Sequence, residues 1–500
     1  MAGVPHLPAM YEPGAHNSWL IRQDRIYSGV RDLGIIPQSS TAMSDRLMRR
    51  LRCDVAIIGG GYSGVTLAVQ LLRCCHRAMS IVIVDRSSRP GRGVAFSTRC
   101  PEHLLNVRAK NMSALATCPD HFINWIKESG SAGITPDSFV PRSLYGEYIE
   151  QTLRTTLENN PDCHVTYLTG NATSLTRSEA GFAVCLEDGS DIQSATVVLA
   201  MGNSHPSDPL RGKRIEKRFY ADYAWDDRTL RDIPAEGSVL LIGSGLTAID
   251  QVLGLKAQGF RGTVTMVSRR GKLPAVHCSS VHWNAKWAES LPAKASAAIR
   301  EVRHQIDVAS ESGVGWRSVI DSLRPWTPVI WNQWSLEEKQ RFLRHLRPFW
   351  EASRHRMPPA THQSIQESIA CGALRVLAGR ITETTRLDTH IDASVLLRGT
   401  DKAVTISIDR IINCTSSGTC DQRQDPFIQK LLLMGFASYD PLKIGISTDN
   451  HGCVIGTFGK ATANLYALGP LRKSTLWETT AVPEIREQAL ELAERIVSRL

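Results

Sequence analysis

Residues Asp54–Gln70 read DVAIIGGGYSGVTLAVQ. The apolar run Val55–Ile58 meets three consecutive glycines, and Gly64 follows at the head of an apolar-rich segment with helical spacing. This is strand, tight turn, helix. Gly59, Gly61 and Gly64 fit G-x-G-x-x-G. The first glycine permits the turn, the second lets backbone approach a pyrophosphate, and the third lets helix and strand pack closely. The helix N-terminus offers unpaired N–H groups and a positive dipole end to phosphate. A second apolar run, SIVIVD over 80–85, ends on Asp85 about 20 residues further on, where an acid can hold a ribose 2′-hydroxyl. A glycine-rich turn with no ligand is the plainer alternative, and the paired strand context argues against it.

The pattern occurs again 184 residues later. Val239–Gly245 reads VLLIGSG and continues LTAID, so Gly243, Gly245 and Ala248 fit G-x-G-x-x-A, with Ser244 between the two glycines. The next strand, GTVTMVSRR over 262–270, ends on Arg269 and Arg270 with no acid. Arginine there accommodates a 2′-phosphate, so the spacing predicts NADPH rather than NADH at this second turn. A solvated strand end is the bland reading of the same two residues.

Five hundred residues exceed one core and suggest several domains. With 42% hydrophobic and 21% charged residues the chain is globular. No apolar run reaches 18 residues, so no membrane partner is expected. The N-terminus has no basic patch ahead of an apolar stretch, which argues against a secretory signal. Twelve cysteines lie scattered without a C-x-x-C pair, which is neither a zinc nor a disulfide framework and argues against a dithiol flavin reductase. Reduced thiols in the cytoplasm are the economical reading. The net charge of +9 comes without a basic run interleaved with aromatics, so a site for anionic dinucleotides explains it better than nucleic acid.

These signals predict an α/β fold with two Rossmann-like dinucleotide-binding domains. The expected boundaries are an N-terminal extension over 1–50, a first domain over 51–205, a second over 206–395, and a return to the first over 396–500. An inserted helical subdomain is expected near 275–360, where seven of the 11 tryptophans fall. Those tryptophans suit packing better than ligand contact. Gly93 lies in a flexible loop beyond Asp85, and His103, Asn106 and Met112 follow it towards the far end of a cofactor. Arg142 and Tyr145 stand at a helix start, where arginine can bind an anion or simply pack. Arg354, His355 and Arg356 form a basic cluster beside prolines that can bind a carboxylate. Near the C-terminus a strand ends at Gly469, and Pro483 and Glu484 mark a helix start with Thr479 or Thr480 as cap. No metal-ligand pattern is present.

The order of these segments resembles the two-dinucleotide-binding flavoproteins. GRGVAFST (91–98), HLLNV (103–107), GLTAID (245–250), VSRRGKLP (267–274), RFLRHLRPFW (341–350), LYALGPLR (465–472) and WETTAVPEIREQA (477–489) are similar to the bacterial FAD-NAD(P)-binding family. The resemblance runs from about Arg52 to the C-terminus. It implies FAD at the first turn and NADPH at the second. It also implies likeness to flavin-dependent N-oxygenases, in which NADPH reduces FAD, O2 adds to the flavin and the hydroperoxide transfers oxygen to a small amine or amino acid. By this resemblance Gly59, Gly61, Gly64, Asp85, Gly93, Met112, Gly469 and Thr480 hold FAD. Asn106 lies beside its ring, with His355 as a second catalytic candidate, and Arg142, Tyr145, Arg354 and Arg356 are the substrate-binding candidates. Two departures stand out. FYADYAW (219–225) lacks the glycine and histidine of the class B monooxygenase motif, and Pro470 replaces the usual aspartate after Gly469. Two other classes stay open: a reductase or dehydrogenase using another acceptor, and a non-catalytic redox sensor.

Overall fold

The computed structural model describes residues 34–36, 50–131, 133–210, 215–416 and 425–500. Along the chain, β1 (Gly34–Ile36), β2 (Arg50–Ile58), helix α1 (Tyr62–Cys74), β3 (Ser80–Asp85), helix α2 (Arg142–Glu158) and β4 (His164–Thr169) come first. The hairpin β5 (Ala172–Ser178) and β6 (Gly181–Leu186) and the long β7 (Asp191–Leu199) follow. Val55–Ile58 are all buried. A strand apolar on both faces must sit between layers in the middle of a parallel sheet. Accordingly β2 pairs in parallel with β3 on one side (Val55 opposite Ile81) and with β7 on the other (Val55 opposite Thr196).

The second unit contains β8 (Tyr220–Ala221), β9 (Ser238–Ile242), helix α3 (Leu246–Ala257), β10 (Thr263–Ser268), helix α4 (Arg347–Arg354), β11 (Leu374–Arg386), β12 (Ile391–Leu397), β13 (Ala403–Ile408) and β14 (Arg410–Asn413). The chain then returns through β15 (Cys453–Ile455), β16 (Ala461–Ala467) and the last helix, α5 (Val482–Val497). The first sheet has the order β1-β4-β3-β2-β7-β16-β15, with the β5–β6 hairpin attached to β7. The second has the order β13-β12-β11-β10-β9-β14-β8. Each glycine turn follows an inner strand of its sheet, β2 in one and β9 in the other. α1 and α5 share one apolar core, in which Leu67, Leu71, Ala489 and Leu492 are buried.

Three expectations change. The boundary near residue 395 falls inside the second sheet, because β12 to β14 all belong to it and β14 pairs with β9. The return to the first sheet begins only at β15. Most of the extension over 1–50 lies outside the described residues, but Gly34–Ile36 adds an edge strand parallel to β4. Neither Thr479 nor Thr480 caps α5. Ala481 is the cap residue and Pro483 sits in the first turn, while Thr479 Oγ1 donates to the Gly469 carbonyl at 2.9 Å.

The insertion is helical, as the periodicity predicts, with helices over Ala295–Glu311, Trp316–Ser322, Thr327–Gln333 and Leu336–Arg341 before α4. It rests on the C-terminal part of the first unit. Trp331 stacks on Trp477 with ring centroids 4.8 Å apart and donates its Nε1–H to the Ser474 carbonyl. No helix among the described residues is long and apolar enough to cross a membrane.

Candidate active site

The first glycine turn is closed by backbone. Gly59 leaves β2 with φ +110°, and a Cβ there would lie 2.3 Å from the Ala200 carbonyl oxygen. Gly64 sits so near the turn that a Cβ would be 1.9 Å from Gly59 O. Gly61 caps α1 with no side-chain hydrogen bond, leaving the first helical N–H groups to a ligand. Its would-be Cβ faces the Cα of Gly93 at 3.3 Å, and that of Gly469 lies 2.7 Å from Ser63 Oγ. Thus Gly61, Gly93 and Gly469 converge on one helix end, from three segments far apart in sequence. Asp85 is anchored beside them, its Oδ2 accepting from the Gly60 N–H at 2.6 Å and its Oδ1 from the Ser87 N–H at 2.7 Å. Burial holds its carboxyl above the usual value despite those bonds. A side-chain-free cradle at a helix N-terminus, with an acid bonded to the turn, fits the pyrophosphate and ribose of a dinucleotide.

The second turn is open. Gly243 repeats the backbone geometry with φ +124°, its Cβ position 2.7 Å from Cys414 O. Gly245 caps α3, and outside its own turn no atom of the described residues lies within 4 Å of its Cβ position. Ala248 is buried against the strand. Ser244 Oγ reaches Ser268 Oγ at 2.8 Å and the Lys272 carbonyl at 2.7 Å, which ties the turn to the end of β10. Arg269 is exposed there. Arg270 lies over the Phe349 ring at 4.8 Å, as does Lys272. Open backbone donors with cations beside them fit an anionic dinucleotide that carries an extra phosphate.

A third feature joins the units. Asn106, Arg354, His355 and Thr480, all singled out from the sequence, line one cavity of ≈20 Å3 together with Arg324, Glu478 and Glu484. That volume is enough for about one water. The Asn106 carbonyl accepts from His277 Nε2 at 2.9 Å. Arg324 forks onto Glu484 through Nε (2.5 Å) and Nη2 (2.8 Å). Arg354 reaches Glu478 at 3.1 Å and Glu484 at 3.6 Å, and Trp350 Nε1 donates to the other Glu478 oxygen. Burial raises the Glu484 carboxyl, but the Arg324 fork outweighs it and leaves the group below its ordinary value. Burial pushes His355 down, so its ring is held neutral.

The other candidates lie elsewhere. Arg356 is 2% exposed, and both ends of its fork are on Asp321. Tyr145 is fully buried among Phe96, Phe122 and Tyr148, and Met112 is core. Arg142 pairs with Asp250 across the junction of the two units. The structure therefore separates Arg142, Tyr145 and Arg356 from the cavity and keeps Arg354 there, already paired. Arg324, Glu478 and His277 are the residues that sequence reasoning passed over, and Glu484 enters it only as part of a helix start. Two acids six positions apart at the entry to α5 were the available signal for half of that network.

Residues 56–204 match the FAD-NAD(P)-binding family. No curated protein matches the chain. Among solved structures, the chain is similar to the ornithine N-hydroxylase of Kutzneria sp. 744 with reduced FAD, NADP+ and L-ornithine, with a TM-score of 0.58 and 13% identity over 90% of this chain and 99% of that one. It is similar to the FAD-bound cadaverine monooxygenase of Erwinia amylovora, with a TM-score of 0.59 and 13% identity over 90% and 95%. It is also similar to the bacillithiol disulfide reductase of Staphylococcus aureus, with a TM-score of 0.54 and 11% identity over 90% and 99%. The resemblance to the FAD-NAD(P)-binding family stands on residues 56–204, and the fold of these solved structures extends over nine-tenths of the chain.

Proposed function

We propose that this protein is an FAD- and NADPH-dependent monooxygenase that oxygenates the nitrogen of a small amine or amino acid. One observation carries the reading. Two dinucleotide turns of unlike character, one closed and one open, belong to units that meet at a cavity lined by the loop at Asn106, the entry to α5 and the helical insertion. When bound, FAD supplies electron transfer from NADPH and activation of O2. The chain's own residues then hold, exclude and orient. Gly61, Gly93 and Gly469 admit the pyrophosphate, and Asp85 faces the ribose. Gly245, Arg269 and Arg270 receive NADPH. The insertion, fastened through Trp331 to the Ser474 carbonyl, shields the cavity from bulk solvent. His355 presents an uncharged ring that can accept a hydrogen bond from an amine. Arg324 and Arg354, with Glu478 and Glu484, give a charge-balanced wall in which a substrate carboxylate competes with the glutamates for arginine. The fold is shared with a disulfide reductase, so transfer of electrons to another acceptor is the second reading.

The test is spectroscopic. The purified protein is expected to carry an FAD spectrum that NADPH bleaches anaerobically faster than NADH does. After O2 is admitted, the right amine should speed NADPH oxidation while lowering peroxide release. A protein that cannot be reconstituted with FAD removes the proposal. NADPH oxidation tightly coupled to a product without O2 consumption replaces it with the second reading.

A further inference from the structure

We propose that Arg142, Asp250 and His103 form a clamp that fixes the register of the second dinucleotide turn against the loop 103–106, with Arg142 and Asp250 as positioning residues; this rests on the cofactor assignment just given. Asp250 lies five residues beyond Gly245, in α3, the helix that begins at the open turn. Its Oδ2 is 2.9 Å from an Arg142 Nη2, a buried ion pair not aligned as a hydrogen bond, with the side chains only 13% and 7% exposed. Arg142 belongs to the first unit, where it starts α2. Its Nε donates to the Leu104 carbonyl at 3.1 Å and its backbone N–H to the His103 carbonyl at 2.9 Å. His103 closes the loop from the other side. A carbonyl can only accept, so His103 Nε2 donates to Asp250 O at 2.8 Å, which leaves Nδ1 to accept from Thr98 Oγ1 at 2.7 Å. Trp225, from the connection between the units, lies over Arg142 at 5.7 Å and edge-on to His103 at 5.9 Å. Asn106, three residues after His103, lines the cavity.

An apolar junction would hold two units together at least as firmly, because burying opposite charges costs desolvation that their attraction does not reliably repay. What this junction adds is register, since the bonds of Arg142 to the Leu104 and His103 carbonyls and of His103 to the Asp250 carbonyl are directional, where apolar side chains have many packings. The clamp stands between the helix that begins at the NADPH turn and the loop that carries Asn106. It therefore transmits the placement of one to the other.

Hydrogen–deuterium exchange on the FAD-loaded full chain tests this. In the wild type, NADP+ is expected to slow exchange both at 243–250 and at 101–108. In Asp250→Asn, which keeps the carbonyl bond to His103, and in Arg142→Gln, the first protection should persist and the second should fall at least threefold. Arg142→Lys should recover part of it. NADPH should bind the variants within about twofold of the wild type, yet reduce the flavin roughly tenfold more slowly. Equal protection at 101–108 in wild type and variants overturns the clamp, as does loss of bound FAD or of folded protein in both single variants, which would make the pair a folding element. If NADP+ fails to protect 243–250 even in the wild type, the cofactor assignment falls and the clamp with it.

Discussion

The two glycine turns are the same device in different surroundings. Both leave an inner strand through a glycine of high positive φ, Gly59 at +110° and Gly243 at +124°, pressed against a neighbouring carbonyl. Both first glycines donate an N–H to the adjacent strand at 2.8 Å. They differ in what surrounds that backbone. The first has glycine at the third position, a carboxylate behind it and two more glycines laid over it. The second has alanine, two arginines and, among the described residues, free space at Gly245. Enclosure of this kind suits a group that stays, and openness suits one that arrives and leaves. The contrast supports FAD at the first and NADPH at the second more strongly than either motif does alone.

The sharpest way to break the contrast is at the third position. Gly64→Ala puts a methyl group 1.9 Å from a backbone oxygen that has no room to retreat. Overpacking of that kind costs about 3 kcal/mol, and here it falls on the cofactor turn itself. The variant should lose bound FAD and melt well below the wild type. Ala248→Gly, the reciprocal change, should cost only about 1 kcal/mol, the ordinary helix penalty of glycine, with FAD retained. Near-equal losses in thermal melts and flavin content would show that the two turns are equally tight.

Acid should act on the closed side. His277, from the second unit, donates to the Asn106 carbonyl, and burial holds its pKa down to about 4 from 6.5. Between those values the unfolded chain binds a proton that the folded chain refuses, so stability falls as pH falls from about 6.5 towards 4. The full shift amounts to roughly 3 kcal/mol, and partial exposure reduces it to about 2 kcal/mol. His277→Gln keeps a donor and should flatten this arm of the urea-unfolding profile. An unchanged slope in the variant would assign the acid loss to other groups.

What was legible in the sequence follows from the range of the interactions. Local patterns gave both turns, the strands around them and the helical insertion, because glycine spacing and apolar periodicity act within a few residues. The cavity was legible in part. Asn106, His355 and Thr480 stood out beside recognisable motifs, yet they come from three distant segments and nothing local says that they meet. Arginine was the least readable residue type. Arg142, Arg354 and Arg356 look alike as cations near a helix end, and each is consumed by an acid 108, 124 or 35 positions away, namely Asp250, Glu478 and Asp321. A one-dimensional pattern shows the cation and hides its partner. The boundary near 395 failed for a related reason. β12 to β14 carry ordinary strand signals, and only pairing assigns them to the second sheet.

The arginines behind the open turn give the smallest expected effect and the finest discrimination. Arg269 is exposed, and Arg270 holds its place mainly against Phe349, so neither is buried and water screens both. Exposed cations contribute little to folding, so the double change Arg269→Ala with Arg270→Ala should leave the melting temperature almost unmoved. A 2′-phosphate brings about two negative charges to the same spot, and losing both partners should raise the KM for NADPH about tenfold, or about 1.4 kcal/mol. NADH carries no such phosphate, and its KM should stay within about twofold. The ratio of the two constants is thus the informative quantity, because a general disturbance of the turn would raise both. If both rise together, the arginines serve the turn's shape and the preference for NADPH has to come from elsewhere. If only the NADPH constant rises, the open turn differs from the closed one in chemistry as well as in access.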